Sequence, residues 1–178
     1  MPHKIIGRKD RIDLPEFNLN NLDAKIDTGA YGCAIHCHHI ELVLRDGKEI
    51  LRFKLLDPSH PEYEGDYYYS HSFGIKKVKN TSGVSEERFT IKTQMIVFGK
   101  SYRTVFSLAD RENMKYPVLI GRKFLTKKFL VDVALKDLSF QNKTHNHEHR
   151  SLIEKPSTVF NPKINRSHQR KRASREGD

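Results

Sequence analysis

Arg45-Asp46-Gly47-Lys48 stands between two apolar-rich runs, Ile40-Glu41-Leu42-Val43-Leu44 and Glu49-Ile50-Leu51-Arg52-Phe53-Lys54-Leu55. Asp-Gly accepts the positive φ values of a two-residue hairpin turn, so this stretch is committed to a pair of antiparallel strands. The pattern recurs further on. Arg88 to Phe98 and Tyr102 to Leu108 flank Gly99-Lys100, and Phe89, Ile91, Thr93, Met95 and Val97 fall on one face with period two. Residues 4–12 and 22–27 read as strands separated by Pro15 and an Asn-rich turn at residues 18–21. Asp57 to Pro61 reads as a loop, Tyr67-Tyr68-Tyr69 as an aromatic strand, and Thr81-Ser82-Gly83 as a turn. Val118-Leu119-Ile120 is a short buried strand, Gly121 permits a close turn, Arg122 to Lys127 suits one or two helical turns, and Phe129 to Val133 is a last strand. The expected class is mostly β with one short C-terminal helix.

The 178 residues favour one domain. Hydrophobic residues make up 37% and charged residues 30%, polar enough to predict that part of the chain stays unfolded. The change of character lies near Phe140: residues 1–141 are expected to form the domain, and residues 142–178, rich in His and Arg, a disordered tail. Net charge is +10. The tail holds nine Lys/Arg against four Asp/Glu, so the domain is basic even without it and should draw in anionic partners. No run of eighteen apolar residues suggests a membrane helix. Met1-Pro2-His3-Lys4 leads directly into alternating residues without a signal-peptide stretch, so a cytoplasmic location is expected.

Chemistry points to Leu22-Asp23-Ala24-Lys25-Ile26-Asp27-Thr28-Gly29-Ala30. An alternating strand runs into a carboxylate, a small hydroxyl residue and glycine. Thr28 offers a hydroxyl, and Gly29 lets backbone donors come close, which would hold Asp27 where it can activate water. Alone, Asp-Thr-Gly also makes ordinary turns. About ninety residues later stands Tyr116-Pro117-Val118-Leu119-Ile120-Gly121-Arg122-Lys123-Phe124-Leu125. The pairing of the two segments, in this order, resembles retroviral-type aspartic proteases, in which an Asp-Thr-Gly-Ala loop is followed by a hydrophobic-hydrophobic-Gly-Arg segment leading into a short helix.

Residues 3–135 also resemble a bacterial family of retropepsin-like peptidases, historically labelled ATP-dependent zinc proteases. Similar stretches are Ile6 through Pro15, Ala24 through Ala30, Ala34-Ile35-His36, Leu108-Ala109-Asp110-Arg111 with Met114, Tyr116 through Leu125, and Leu130-Val131-Asp132-Val133. The resemblance implies a single-lobe acid-protease β-barrel with Asp27 as the catalytic acid, Thr28, Gly29 and Ala30 as its loop, and Leu119, Ile120, Gly121 and Arg122 as structural support. It implies an aspartic-type endopeptidase; the older label points to zinc and ATP, but the residues offer a site for neither, so no cofactor is expected. Such enzymes use two carboxylates sharing one proton, and this chain has one motif, so a homodimer with Asp27 from each copy is expected. A loop or hairpin between Asp57 and Glu87 should close over the substrate near Tyr67, Tyr68 and Tyr69. The family's resemblance to partners of ATP-grasp ligases that add glutamates to protein termini suggests acidic or glutamylated tails as substrate. Two departures stand out. The family usually carries Arg-Thr-Ser where this chain has Tyr31-Gly32-Cys33. In retroviral proteases the residue four after the catalytic Asp is an acid paired with the Arg of the Gly-Arg segment; here it is Tyr31, so Arg122 should pair elsewhere, with Asp110 or the other subunit.

Competing chemistry is weaker. Cys33, His36, Cys37, His38 and His39 are metal-capable, but alternation divides them between two faces and no H-E-x-x-H occurs, so no metal is expected. His145, His147 and His149 bind metal only as any His-rich tail does. Gly99-Lys100-Ser101 lacks the first glycine of a phosphate loop, with Gln94 in its place. The alternative to a protease is an inactive binding module whose tail, Gln169 to Arg175, holds nucleic acid or an acidic partner; no aromatic residue within that run can stack on bases, which disfavours nucleic acid.

Overall fold

The computed structural model describes residues 3–79, 82–145 and 159–160. Twelve strands dominate it: β1 (Lys4–Gly7), β2 (Lys9–Leu14), β3 (Leu19–Asp27), β4 (Cys33–Arg45), β5 (Lys48–Leu55), β6 (Tyr67–Ser70), β7 (Phe73–Lys79), β8 (Ser85–Val97), β9 (Lys100–Ala109), β10 (Val118–Gly121), β11 (Phe129–Asp132) and β12 (Val159–Phe160). Two helices accompany them, α1 (Arg122–Leu125) and α2 (Leu138–His145). The mostly β acid-protease class holds.

The hairpin signals operate as chemistry requires. Asp46 and Gly47 both take positive φ, 52° and 72°, between β4 and β5, and Phe98 and Gly99 do the same at 51° and 68° between β8 and β9. In β8 the expected face is inside: Ile91, Thr93, Met95 and Val97 are buried and Phe89 half-buried. In β3 the even positions Leu22, Ala24 and Ile26 enter the core. Asp23, Lys25 and Asp27 therefore point the other way, which brings Asp27 out of the core at the strand's end.

Closure of the barrel rests on β10. It pairs in parallel with β3, with Gly121 opposite Asp27, and antiparallel with β4, with Val118 opposite Ile35. Since the remaining pairings run β3-β2-β8-β9-β4, these strands form a closed ring that leaves no free edge at the site. The sheet extends beyond the ring through β5, β6 and β12, and β7 adds to β8.

Four features differ from the sequence expectation. The run over residues 4–12 is split at Arg8: β1 leaves the barrel to pair in parallel with β11, while β2 pairs with β3. Strand β7 is an additional element, paired antiparallel with β8 from Phe73 opposite Ile91 to Lys79 opposite Ser85. Tyr67 to Tyr69 lie on β6 against β5 rather than on that hairpin, with Tyr68 buried edge-on to Phe17 at 5.1 Å. Helix α2 also goes beyond the single expected helix. It is local in neither pattern nor charge and is held by distant carboxylates: Asp10 accepts the backbone N–H groups of Ser139 and Phe140, and Lys143 Nζ reaches both oxygens of Asp13 at 2.8 Å. Burial raises the Asp10 pKa above its ordinary value despite those donors. Helix α2 runs past residue 141, and most of residues 142–178 lie outside the described residues.

Candidate active site

Strand β3 ends on Asp27, and the chain turns back at once. Asp27 Oδ1 accepts the backbone N–H of Gly29 at 2.9 Å and of Ala30 at 3.1 Å. Both donors engage the same carboxyl oxygen and fix the carboxyl plane. A side chain on Gly29 would put Cβ 3.2 Å from that same oxygen, which is why the loop carries glycine there. Thr28 is exposed, and the described hydrogen bonds to Asp27 come from backbone rather than from its hydroxyl.

The second segment builds the other wall. Gly121 is buried opposite Asp27, and a Cβ on it would lie 2.2 Å from the Gly32 carbonyl oxygen and 2.9 Å from that of Ala30. Immediately after it, the backbone N–H groups of Arg122 and Lys123 donate to the carbonyls of Ala30 and Tyr31, each at 2.8 Å. Arg122 Nη1 then donates to the carbonyls of Thr28 at 3.0 Å and Gly29 at 2.8 Å. The expected pairing of Arg122 with Asp110 is not made: Asp110 accepts from the Glu112 backbone and lies 3.8 Å from His36 Nδ1. The physical reason is that Arg122 finds two carbonyls in the Asp27 loop itself, so no acid at position 31 is needed. Tyr31 is instead 57% exposed, with Lys76 of β7 5.0 Å from its ring centre. Leu119 and Ile120 line the strand behind, half-buried and buried. Arg122→Met leaves both loop carbonyls unpaired and lets the loop shift. We expect kcat/KM for peptide cleavage to fall by about 10²-fold, since such misplacements carry that cost; steady-state kinetics beside an unchanged circular dichroism spectrum checks it.

A buried histidine supports the site from behind; the sequence marks His36 only as metal-capable and as part of the stretch Ala34-Ile35-His36, without this role. His36 is 1% exposed, and its backbone N–H, its carbonyl and its Nδ1 each have a hydrogen-bond partner. Its N–H donates to the Pro117 carbonyl, its carbonyl accepts from Leu56, and its Nδ1 accepts the Arg111 N–H at 2.7 Å. Its Nε2 lies 2.7 Å from Asp57 Oδ2, a close but poorly aligned contact. His36 therefore ties β4 to the 56–60 loop and to the turn that leads into β10. Arg111, also buried, has its Nε on the Tyr116 carbonyl. Burial and the nearby Arg88 lower its pKa, while the charge of Asp27 opposes that shift, so Arg111 is a cation within electrostatic reach of Asp27. The available signal was the stretch Leu108-Ala109-Asp110-Arg111, where an apolar strand passes directly into two charges.

His36, Asp57 and His60 come within 4.8 Å of one another, close enough to suggest a metal site. The proton count argues against it. A backbone N–H can only donate, so Nδ1 of His36 carries the lone pair and Nε2 the proton. The nitrogen facing Asp57 then has nothing to give a cation, and a metal ligand must be deprotonated there. The two cysteines fare no better: burial pushes the Cys33 thiol up to about 11 and Cys37 well above its usual value.

Comparison with known proteins agrees with this geometry. The family described as retropepsin-like aspartic endopeptidase RimB matches residues 5–144. A probable alpha-L-glutamate ligase of Desulfotalea psychrophila is 30% identical over 134 residues, covering 75% of this chain and 29% of that protein. One from Parasynechococcus marenigrum is 27% identical over 128 residues, covering 72% and 28%. The chain thus spans less than a third of the length of these relatives. A crystal structure of a Legionella pneumophila protein of unknown function superposes with a TM-score of 0.62 at 24% identity, over 78% of this chain and 99% of that one, and speaks to the fold alone. With the Asp27 loop, the Gly121-Arg122 wall and the closed barrel in place, the match over residues 5–144 identifies this chain as a member of the RimB-like family of retropepsin-like aspartic endopeptidases.

Proposed function

We propose that the protein is an aspartic endopeptidase whose dyad consists of Asp27 from two copies of the chain. The observation that carries this is the Asp27 cradle: a carboxylate at a strand end, fixed by two backbone donors, on a loop that is itself locked by Arg122. Thr28 and Gly29 are exposed, so this loop is open to a second copy. In the dimer the two carboxyls share one proton. The ionised one takes a proton from water as it attacks the scissile carbonyl, and the protonated one polarises that carbonyl. The β7–β8 hairpin, whose Lys76 already touches Tyr31, would close over the peptide. No cofactor enters these steps.

Acidic or glutamylated protein tails are the proposed substrate. The relatives named as glutamate ligases contain a region similar to this chain within a longer polypeptide, which supports a peptidase that works beside, or associated with, a ligase of that kind in the cytoplasm. The net charge of +10 suits an anionic substrate. The peptidase domain would run to the end of α2 at His145, four residues past the boundary expected from sequence, and the residues beyond it would form a basic tail. Subunit mixing tests the shared site. If each active site needs two Asp27 residues, activity in mixtures of wild-type and Asp27→Asn chains follows the square of the wild-type fraction after subunit exchange; a linear dependence would mean one chain suffices.

A further inference from the structure

The catalytic loop does not end at Ala30. Tyr31, Gly32 and Cys33 lead into a cleft of about 460 Å³ bounded by β7, β8, β9 and α1. Five of its fourteen lining residues are cations, Lys76, Lys92, Arg103, Lys123 and Lys128, and none is acidic. Two of the five are partly committed: Arg103 lies 3.6 Å from Glu16, and Lys128 Nζ donates to the Phe124 carbonyl at 2.9 Å. For Lys76, Lys92 and Lys123 no carboxylate partner occurs among the described residues, and all three are exposed. Gathering ammonium groups around one concavity raises its potential and costs self-repulsion that an anionic ligand relieves.

We propose that this cleft is a secondary site that binds the carboxylates of an acidic peptide substrate away from the scissile bond, with Lys76, Lys92 and Lys123 as its contacts. The proposal rests on the peptidase reading above and adds to it where the substrate's charge is read. Three features favour a peptide over a nucleic acid. The cleft is lined by Tyr31, Gly32 and Cys33, four to six residues after Asp27, so it lies beside the loop that carries the carboxyl. Extended peptide advances 3.2–3.4 Å per residue, so several side-chain carboxylates can enter one cleft of this size. Its aromatic rings are already engaged: Lys76 stands over Tyr31, Tyr102 packs edge-on to Phe124 at 5.2 Å, and Lys128 stands over Phe124. Tyr31 is the one exposed ring of the three, and Lys76 takes one of its faces, which leaves little aromatic surface for base stacking.

The test compares one cleaved peptide carrying a tetraglutamate or a tetraglutamine extension, on the full chain at low salt. We expect kcat/KM to favour the Glu extension by about tenfold, mostly through KM, as a few exposed ion pairs would give. The preference should fall towards unity in Lys92→Glu/Lys123→Glu. Using the ratio within each variant removes any general change in activity. Binding of the same labelled peptides to Asp27→Asn protein is read in parallel by fluorescence anisotropy, so that a charge-dependent affinity there, with no cleavage by the wild-type chain, would discard the peptidase reading and keep the cleft. The proposal is overturned if the double variant retains the Glu preference, if no preference exists, or if an oligonucleotide of equal charge binds at least as tightly and loses its affinity in that variant.

Discussion

Asp27→Asn chains will fold as the wild type does and cleave peptides slower by on the order of 10³-fold or more, the scale of lost general acid–base catalysis. The expectation follows from what Asn keeps and what it loses. Its carbonyl oxygen can still accept the N–H groups of Gly29 and Ala30 that now bond Asp27 Oδ1 at 2.9 and 3.1 Å. The loop geometry, the Arg122 bonds and the barrel are therefore undisturbed. What disappears is the titrating group, and in a symmetric dimer it disappears from both sides of the dyad at once. Thermal melting within a few degrees of wild type, together with loss of cleavage, is the expected pair of results. Cleavage at an undiminished rate would refute Asp27 as the catalytic acid.

Gly121→Ala will act through stability first. The added methyl carbon would lie 2.2 Å from the Gly32 carbonyl oxygen, 2.7 Å from its carbon and 2.9 Å from the Ala30 carbonyl oxygen. All three are backbone atoms, so no side chain can rotate away. Either β10 moves off β3 and β4 or the catalytic loop moves off β10, and each movement opens the barrel at its closing strand. We expect a loss of about 3 kcal/mol, at the upper end of overpacking costs, which lowers Tm by roughly 10 °C for a chain of this size. Activity should fall even below the melting transition, because the displaced loop is the one that holds Asp27. Gly47 provides the contrast: nothing lies within 4 Å of a Cβ there, and only its φ of +72° resists substitution, so Gly47→Ala should cost only about 1 kcal/mol.

The parts of this fold that sequence makes legible are those whose physics is local. Asp46-Gly47 declares its turn because two adjacent residues must both take positive φ. The inner face of β8 is readable because Ile91, Thr93, Met95 and Val97 need only a period of two. Asp27 and Gly121 stand out because each is an unusual residue at the end of an apolar strand. What escapes is set by partners far away in the chain. The identity of the Arg122 acceptors depends on how closely α1 approaches residues 28 and 29, a distance no spacing encodes. His36 looks like one polar residue on an exposed strand face until Arg111, Pro117, Leu56 and Asp57 arrive to use its atoms. Helix α2 is invisible for the same reason: its N-terminal donors are met by Asp10, which lies 129 residues before Ser139.

The long reach between the catalytic loop and its wall has a consequence for how the molecule comes into being. Thr28 and Arg122 are 94 residues apart, and their contact belongs to the strand that closes the ring. Contacts of such separation form late, since loop closure must precede the bonds that reward it. During synthesis Asp27 leaves the ribosome long before β10, and until β10 follows, the loop lacks Arg122 and the opposing strand alike. The Asp27 carboxylate is thus without its final geometry throughout most of elongation. For the proposed peptidase, the order of residues along the chain would act as a safety interlock, one that releases only when the barrel is shut.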